Sequence, residues 1–192
     1  NNYAMRILGF HEHELSEFNY LVGDGVAKLI ERALPVENQD KFDEALSLYN
    51  NYYNKNYTVK TYIYDGIEKM LNTLKEKGFE LAVASNKTHE FTENVISYYF
   101  GDELFSEVFG KSVGNPVKPS PAIVDNIMDK LNISKENTVM IGDTCIDIKT
   151  GKNAGIKTIG CLWGFRTLEE LVNAGADYIA DKPLDIVKYL CE

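Results

Sequence analysis

Apolar residues in the first 58 positions recur every three or four residues, the spacing that gathers them on one face of a helix. NNYAMRILGF (1–10) carries this pattern to a stop at Gly9, GVAKLIERAL (25–34) repeats it, and ENQDKFDEALSLYNNYYNKN (37–56) continues it. No strand-like alternation interrupts them, so residues 1–58 read as a small helical domain. From Val59 the rhythm changes. DGIEKMLNTLKEKG (65–78) is helical and stops at Gly78, FELAVAS (79–85) is an apolar run of strand length, THEFTENVISYYF (88–100) is helical, and SEVFG (106–110) is a second short strand. SPAIVDNIMDKLN (120–132) returns to helical spacing, with Ser120 as cap and Pro121 in the first turn. Then follow strand TVMIG (138–142), helix DIKTGKNAG (147–155), strand KTIGCL (157–162), helix TLEELVNAG (167–175), strand ADYIA (176–180) and helix LDIVKYL (184–190).

Strands that alternate with helices require crossover connections, and these build a parallel sheet covered on both faces. The expected fold class is therefore α/β: a doubly wound, Rossmann-like parallel sheet over residues 59–192, preceded by the helical domain 1–58. In such sheets ligands bind outside the carboxyl ends of the strands. Three polar clusters fall at or beside such ends: Ser85-Asn86-Lys87, Lys118-Pro119-Ser120-Pro121 and Gly142-Asp143-Thr144-Cys145-Ile146-Asp147.

Asp143 and Asp147, four residues apart after a strand, suit a hard cation that keeps several waters, as Mg²⁺ does. Asp143 would be the direct ligand and Asp147 an outer or water-mediated partner; taken alone, Asp143 reads equally well as the cap of the next helix. The Ser85 hydroxyl, with backbone amides entering the following helix, could hold an oxyanion such as phosphate, or could simply make a Ser-Asn turn. Lys118, fixed by the proline after it, could add a positive charge at the same place, although a solvated lysine is the ordinary alternative. The three ordinary alternatives lose weight when the clusters occur together on one alternating scaffold.

Composition narrows the chemistry. With 192 residues, 44% apolar and 11% aromatic, the chain can bury a substantial core. A formal charge of -9 and a pI near 4.9 exclude a nonspecific nucleic-acid surface, and an anionic substrate would need a local device such as a metal ion. The tyrosines of YNNYYNKNY (49–57) could stack bases, but at helical spacing they read as packing. Cys145, Cys161 and Cys191 form neither a CxxC pair nor an even set, which fits a reduced, cytoplasmic setting. No membrane-length apolar run or signal peptide is evident. The first residues include no initiator Met, which suggests a fragment.

VASNK with Ser85, VKPSP with Lys118 and IGDTCID with Asp143 and Asp147 resemble the second, third and fourth motifs of the haloacid dehalogenase superfamily, most of whose members are Mg²⁺-dependent phosphohydrolases. VGDGVAKLIERAL, YDG and NAGIKTIGCLWGFRTLEELVNAGADYIAD are similar to segments of its phosphoglycolate phosphatase-like members, so the resemblance covers nearly the whole chain. It implies hydrolysis of a small phosphate monoester through an aspartyl phosphate. Ser85 and Asn86 would hold the transferring phosphoryl group, Lys118 would balance its charge, and Asp143 would bind Mg²⁺ with support from Asp147. The helical domain would be a mobile cap, with Gly23, Asp24 and Gly25 as its substrate loop, Arg32 meeting a substrate carboxylate, and YDG (64–66) as a hinge. A helix-to-helix turn and a surface arginine are the plainer readings of that loop and of Arg32.

The family's first motif, Asp-x-Asp-Gly-Thr, carries the nucleophile and ends a central strand between FELAVA and TVMI. It does not occur in these 192 residues, and neither Asp24 nor Asp65 is assigned its role. The expectation is a natural N-terminal extension, since a gap there would leave two apolar strand edges unpaired; without the nucleophile the segment would be inactive. A phosphomutase, a pyrophosphatase or a noncatalytic binding remnant are the alternatives, and the assembly would be monomeric or homodimeric. His11 and His13 read as exposed loop residues rather than metal ligands, His89 as lying near a helix start, and Cys145 as a packing residue. Trp163 and Arg166, in LWGFR, follow a strand and could border the site.

Overall fold

A computed structural model describes all residues, 1–192, in two compact units, Asn1–Tyr62 and Ile63–Glu192. Residues 59–62, expected with the second unit, therefore belong to the first. They follow a helix and precede an extended stretch, so no strand periodicity marks the boundary.

The first unit holds α1 (Asn2–Ile7), α2 (Phe18–Leu21), α3 (Val26–Ala33) and α4 (Phe42–Asn56), with 3₁₀ turns at Leu15–Glu17 and Val36–Lys41. Its core joins Ala4 and Met5 of α1 to Ile30 and Ala33 of α3, to Leu34 just after α3, and to Ala45 of α4. Alanines at three of these positions let the helix backbones approach closely. The tyrosine run is absorbed by packing: Tyr49 stacks on Tyr53 at 5.4 Å, Tyr53 lies 6.2 Å from Tyr57, and Tyr3 stacks on Tyr52 at 4.5 Å. Their i, i+4 spacing aligns them along one face of α4. His13 departs from expectation. Its Nε2 lies 2.9 Å from the Ala33 carbonyl and its ring is mostly buried, whereas His11 is exposed.

The second unit runs α5 (Ile67–Glu76), β1 (Ala82–Thr88), α6 (His89–Phe100), β2 (Glu107–Lys111), α7 (Ala122–Leu131), β3 (Val139–Gly142), α8 (Cys145–Ala154), β4 (Lys157–Cys161), α9 (Leu168–Asn173), β5 (Tyr178–Ala180) and α10 (Pro183–Cys191). All strand pairs are parallel, and a helix connects each paired strand to the next. Two boundaries differ from those expected. β1 extends through Ser85 to Thr88, carried by a register shift against β2 between Ala84 and Thr88. The helix after Lys118 is capped by Pro121, and the Ser120 hydroxyl accepts a bond from the Ala122 amide at 3.4 Å.

Period-two alternation sets the layers. Met140 of β3 faces a cluster with Val124, Met128, Ala154 and Ile156, while Val139 and Ile141 point to the opposite cluster, with Met70, Leu71, Leu74, Ile159 and Ile186. β3 is thus covered on both sides, as a parallel strand requires. The sheet is nonetheless hydrogen-bonded in two pieces, β1-β2 and β3-β4-β5. No ladder hydrogen bond joins β1 or β2 to β3.

Asp177 ties the second piece together just before β5. Its carboxylate accepts from the Thr158 amide and hydroxyl and from Lys152 Nζ, each at 2.8 Å. Partial burial opposes its ionisation, but the bonds from Lys152 and Thr158 outweigh that and bring its pKa from the ordinary 3.8 to about 2. A depressed carboxylate pKa contributes stability that is fully present above the unfolded value and is lost as the pH falls towards the folded one. Asp177→Asn is therefore expected to lower Tm by about 5 °C at neutral pH. The gap from wild type should close between pH 4 and pH 2. Thermal melts across that range check this, and a gap that persists unchanged at pH 2 rules it out.

Candidate active site

Lys118 is the centre of the arrangement. It is about nine-tenths buried, and its Nζ donates to Asp147 Oδ1 at 2.6 Å and to the Ala84 carbonyl at 2.8 Å. The ammonium thus bridges β1, at the residue before Ser85, and the start of α8, across the break in the sheet. A solvated surface lysine is excluded by this burial. Asn86, also buried, fixes the Lys118 backbone from both sides: its Nδ2 donates to the Lys118 carbonyl at 3.0 Å and its Oδ1 accepts from the Lys118 amide at 2.8 Å. Its side-chain amide is therefore engaged by the protein as a support for Lys118.

Asp147 shows why α8 starts where it does. Thr144 is the N-cap: its hydroxyl accepts from the Asp147 amide, and Asp147 Oδ2 accepts in return from the Thr144 amide at 3.1 Å and hydroxyl at 2.7 Å. This reciprocal capping box satisfies donors that a helix start leaves without partners. With Oδ1 on Lys118 and Oδ2 on Thr144, both Asp147 oxygens have protein donors. Gly142 is needed for the fit, because a Cβ there would lie 2.2 Å from the Asp147 Cβ.

Asp143 is not the helix cap. Its Oδ2 accepts from the Phe165 amide, 2.8 Å away in the turn after β4. Burial raises its pKa; the Phe165 amide lowers it, the nearby Asp147 charge raises it, and Lys118 lowers it. The same carboxylates reach Cys161. Burial first, and then Asp143 and Asp147, push its thiol up to about 12, so it stays protonated and is no nucleophile. Cys145 donates weakly to the Glu170 carbonyl at 3.6 Å, a packing role.

Ser85 lies on β1 next to the Ala84 carbonyl that Lys118 grips, and its Oγ accepts from the Lys87 amide at 3.1 Å. One of the oxygen's two lone pairs is thereby occupied, and its rotatable O–H can turn towards an oxyanion. Asp143 offers a half-buried oxygen donor set, and Mg²⁺ is commonly held by one or two carboxylates, so the donor chemistry fits that ion. No group of three or more His, Cys, Asp or Glu side chains is placed to hold an ion.

Gly23, Asp24, Gly25 and Arg32 form a cluster of their own within the helical unit. The loop turns through Gly23 at φ 121° and Gly25 at φ 90°, and Gly25 caps α3. Arg32, in the last turn of α3, pairs with Asp24 through a short contact and donates to the Leu21 carbonyl at 3.2 Å. Its guanidinium braces the loop. A cleft of about 380 Å³ beside α6 and β2 includes none of these residues; within it Lys130 pairs with Glu107 at 3.2 Å and His89 lies 3.5 Å from Glu93.

Two contributors were not foreseen. Thr144 had a visible signal, the spacing Thr-x-x-Asp of a capping box. The Phe165 amide had none, because a backbone donor is shared by nearly every residue type.

The haloacid dehalogenase-like hydrolase family profile matches residues 1–161. A phosphoglycolate phosphatase of Aquifex aeolicus is 33% identical over 97% of this chain and 85% of its own length, and one of Psychrobacter arcticus is 29% identical over 98% and 86%. Among solved structures, a Lactobacillus delbrueckii protein superposes with TM-score 0.92 at 26% identity, over 98% of this chain and 88% of its own. A haloacid dehalogenase-like hydrolase of Streptococcus pneumoniae shares the fold with TM-score 0.88 at 22% identity, over 98% and 87%.

The buried pair yields a stability test. Removing one partner leaves the other charge buried without compensation, so Lys118→Met or Asp147→Leu alone should cost about 3–5 kcal/mol in urea unfolding. The double variant, which leaves neither charge, is expected to recover much of that loss. A double variant as unstable as the sum of the singles counts against the pair as a coupled unit.

Proposed function

Since the chain belongs to the haloacid dehalogenase-like hydrolases, we propose that it is a Mg²⁺-dependent phosphatase acting on a small phosphate monoester, with phosphoglycolate the favoured candidate. The observation that carries this reading is the bridge at Lys118: one buried ammonium links Asp147, at the start of α8, to the Ala84 carbonyl beside Ser85. The similarity to curated phosphoglycolate phosphatases supports the substrate class.

The residues divide the work as follows. Ser85 donates its hydroxyl proton to a non-bridging phosphoryl oxygen, oriented by the Lys87 amide on its Oγ. Lys118 opposes the phosphoryl charge with an ammonium that Asn86 and Asp147 hold in place, so little reorganisation is needed as charge builds in the transition state. Asp143 is the direct metal ligand; Asp147 acts on the site through Lys118 and Thr144. When bound, Mg²⁺ polarises the phosphoryl oxygens and offsets their negative charge. The reaction proceeds through an aspartyl phosphate, and the attacking carboxylate is none of the residues named above. Asp24 is paired with Arg32 and so is no candidate for it. The Gly23–Gly25 loop, braced by Arg32, is the proposed substrate-binding segment of the helical unit. Three free thiols support a reducing, cytoplasmic setting, and no helix is long and apolar enough to cross a membrane.

A panel of phosphate esters, assayed on the full-length protein with and without Mg²⁺, tests the reading. Turnover of a compact monoester should depend on the metal, and Asp143→Ala should lower kcat/KM by about 10²-fold or more while weakening Mg²⁺ binding. Metal-independent turnover, or unchanged Mg²⁺ affinity in the variant, sinks the assignment. Binding of an ester without turnover would favour a noncatalytic module instead.

A further inference from the structure

We infer that the turn Trp163-Gly164-Phe165, after β4, orients Asp143 and thereby sets the affinity of the site for its divalent cation. The inference rests on the reading of Asp143 as the metal ligand and assigns a positioning role to three residues outside the family's motifs.

Two observations meet at this turn. The Phe165 amide donates to Asp143 Oδ2 at 2.8 Å. A Cβ built on Gly164 would lie 2.1 Å from the same Oδ2, 2.2 Å from the Asp143 Cβ and 2.4 Å from its Cγ. The backbone of residue 164 therefore lies against the whole carboxyl group, closer than any side chain permits. Gly164 is not among the glycines at positive φ, so the conformation is open to other residues and the requirement is one of space alone. Trp163 packs against the cluster that contains Ile159, Cys161 and Ile186, which anchors one end of the turn in the core. Phe165 is 41% exposed, and its hydrogen bond to Asp143 is made through its amide.

The consequence is geometric. One carboxylate oxygen is tethered and one face of the group is blocked, so the carboxyl plane is fixed before any ligand arrives. A preset ligand loses less conformational freedom on binding, and hydrogen-bond partners that orient a metal ligand commonly change metal affinity by about 10- to 100-fold.

The test measures Mg²⁺ affinity by calorimetry and Mn²⁺ affinity by electron paramagnetic resonance on the full-length protein, with Tm recorded in EDTA. Gly164→Ala forces Asp143 aside and Phe165→Pro removes the tethering N–H without adding an atom to residue 164. Each folded variant is expected to raise the dissociation constants of both ions by about tenfold or more. Gly151→Ala serves as the control for general crowding, because its methyl would meet Thr158 Cγ2 at 2.4 Å and the Met140 Cβ at 2.9 Å, not Asp143. It should lower Tm and leave both dissociation constants within twofold of wild type, a small change on the scale expected of an orienting contact. Wild-type affinity in both turn variants, or an equal loss in Gly151→Ala, overturns the inference. If Asp143→Ala itself keeps full Mg²⁺ affinity, the metal assignment falls and takes this inference with it; if Asp143→Ala loses affinity while both turn variants keep it, only this inference fails.

Discussion

The candidate site depends on one buried contact, the ion pair between Lys118 and Asp147. Each of its ends is held by something else. Asn86 fixes the Lys118 backbone with two hydrogen bonds, and Thr144 fixes Asp147 through the cap of α8. Burying two charges is costly in itself, and the cost is offset only when geometry is good and the remaining donors and acceptors are satisfied. Here the ammonium has a third partner in the Ala84 carbonyl. That third bond gives the pair its architectural weight, because Ala84 and Asp147 belong to strand-and-helix units whose sheets share no hydrogen bond.

Close backbone approach shapes what surrounds the pair. Gly142 and Gly164 stand where a Cβ would overlap Asp147 and Asp143 respectively. Neither glycine has a positive φ, so both are demanded by the carboxylates beside them rather than by a turn. Crowding of this kind keeps water from one side of each carboxyl group. It accounts for burial being the largest influence on the pKa of Asp143, ahead of both charged neighbours.

The legibility of these features in the sequence follows their physical origin. Apolar spacing shows the helical unit and the alternating unit because burial of one helical face, or of alternate strand positions, is written in residue type. The motif residues Ser85, Lys118, Asp143 and Asp147 stand out because their chemistry is local to the side chain. The Asn86 side chain shows a limit of local reading, because its hold on the Lys118 backbone is a contact 32 residues away. His13 was placed in an exposed loop because the Ala33 carbonyl that holds it is likewise distant in sequence. β1 runs past Ser85 because it pairs with β2 across a register shift, which no pattern in either strand announces. The Phe165 amide is invisible in principle.

Charge explains why the site and its expected cation belong together. Lys118 is the one cation bonded into the cluster, and Asp147 already neutralises it at 2.6 Å. An ionised Asp143 then leaves the group net negative, inside a chain that carries a formal charge of -9. Such a surface repels a phosphate dianion, and Lys118 can donate to it without attracting it from solution. On the proposed reading, a divalent cation on Asp143 would reverse that local sign. Asp147 and Lys118 already satisfy each other, so Asp143, held by the Phe165 amide at 2.8 Å, is the carboxylate whose charge the cluster leaves without a cationic partner.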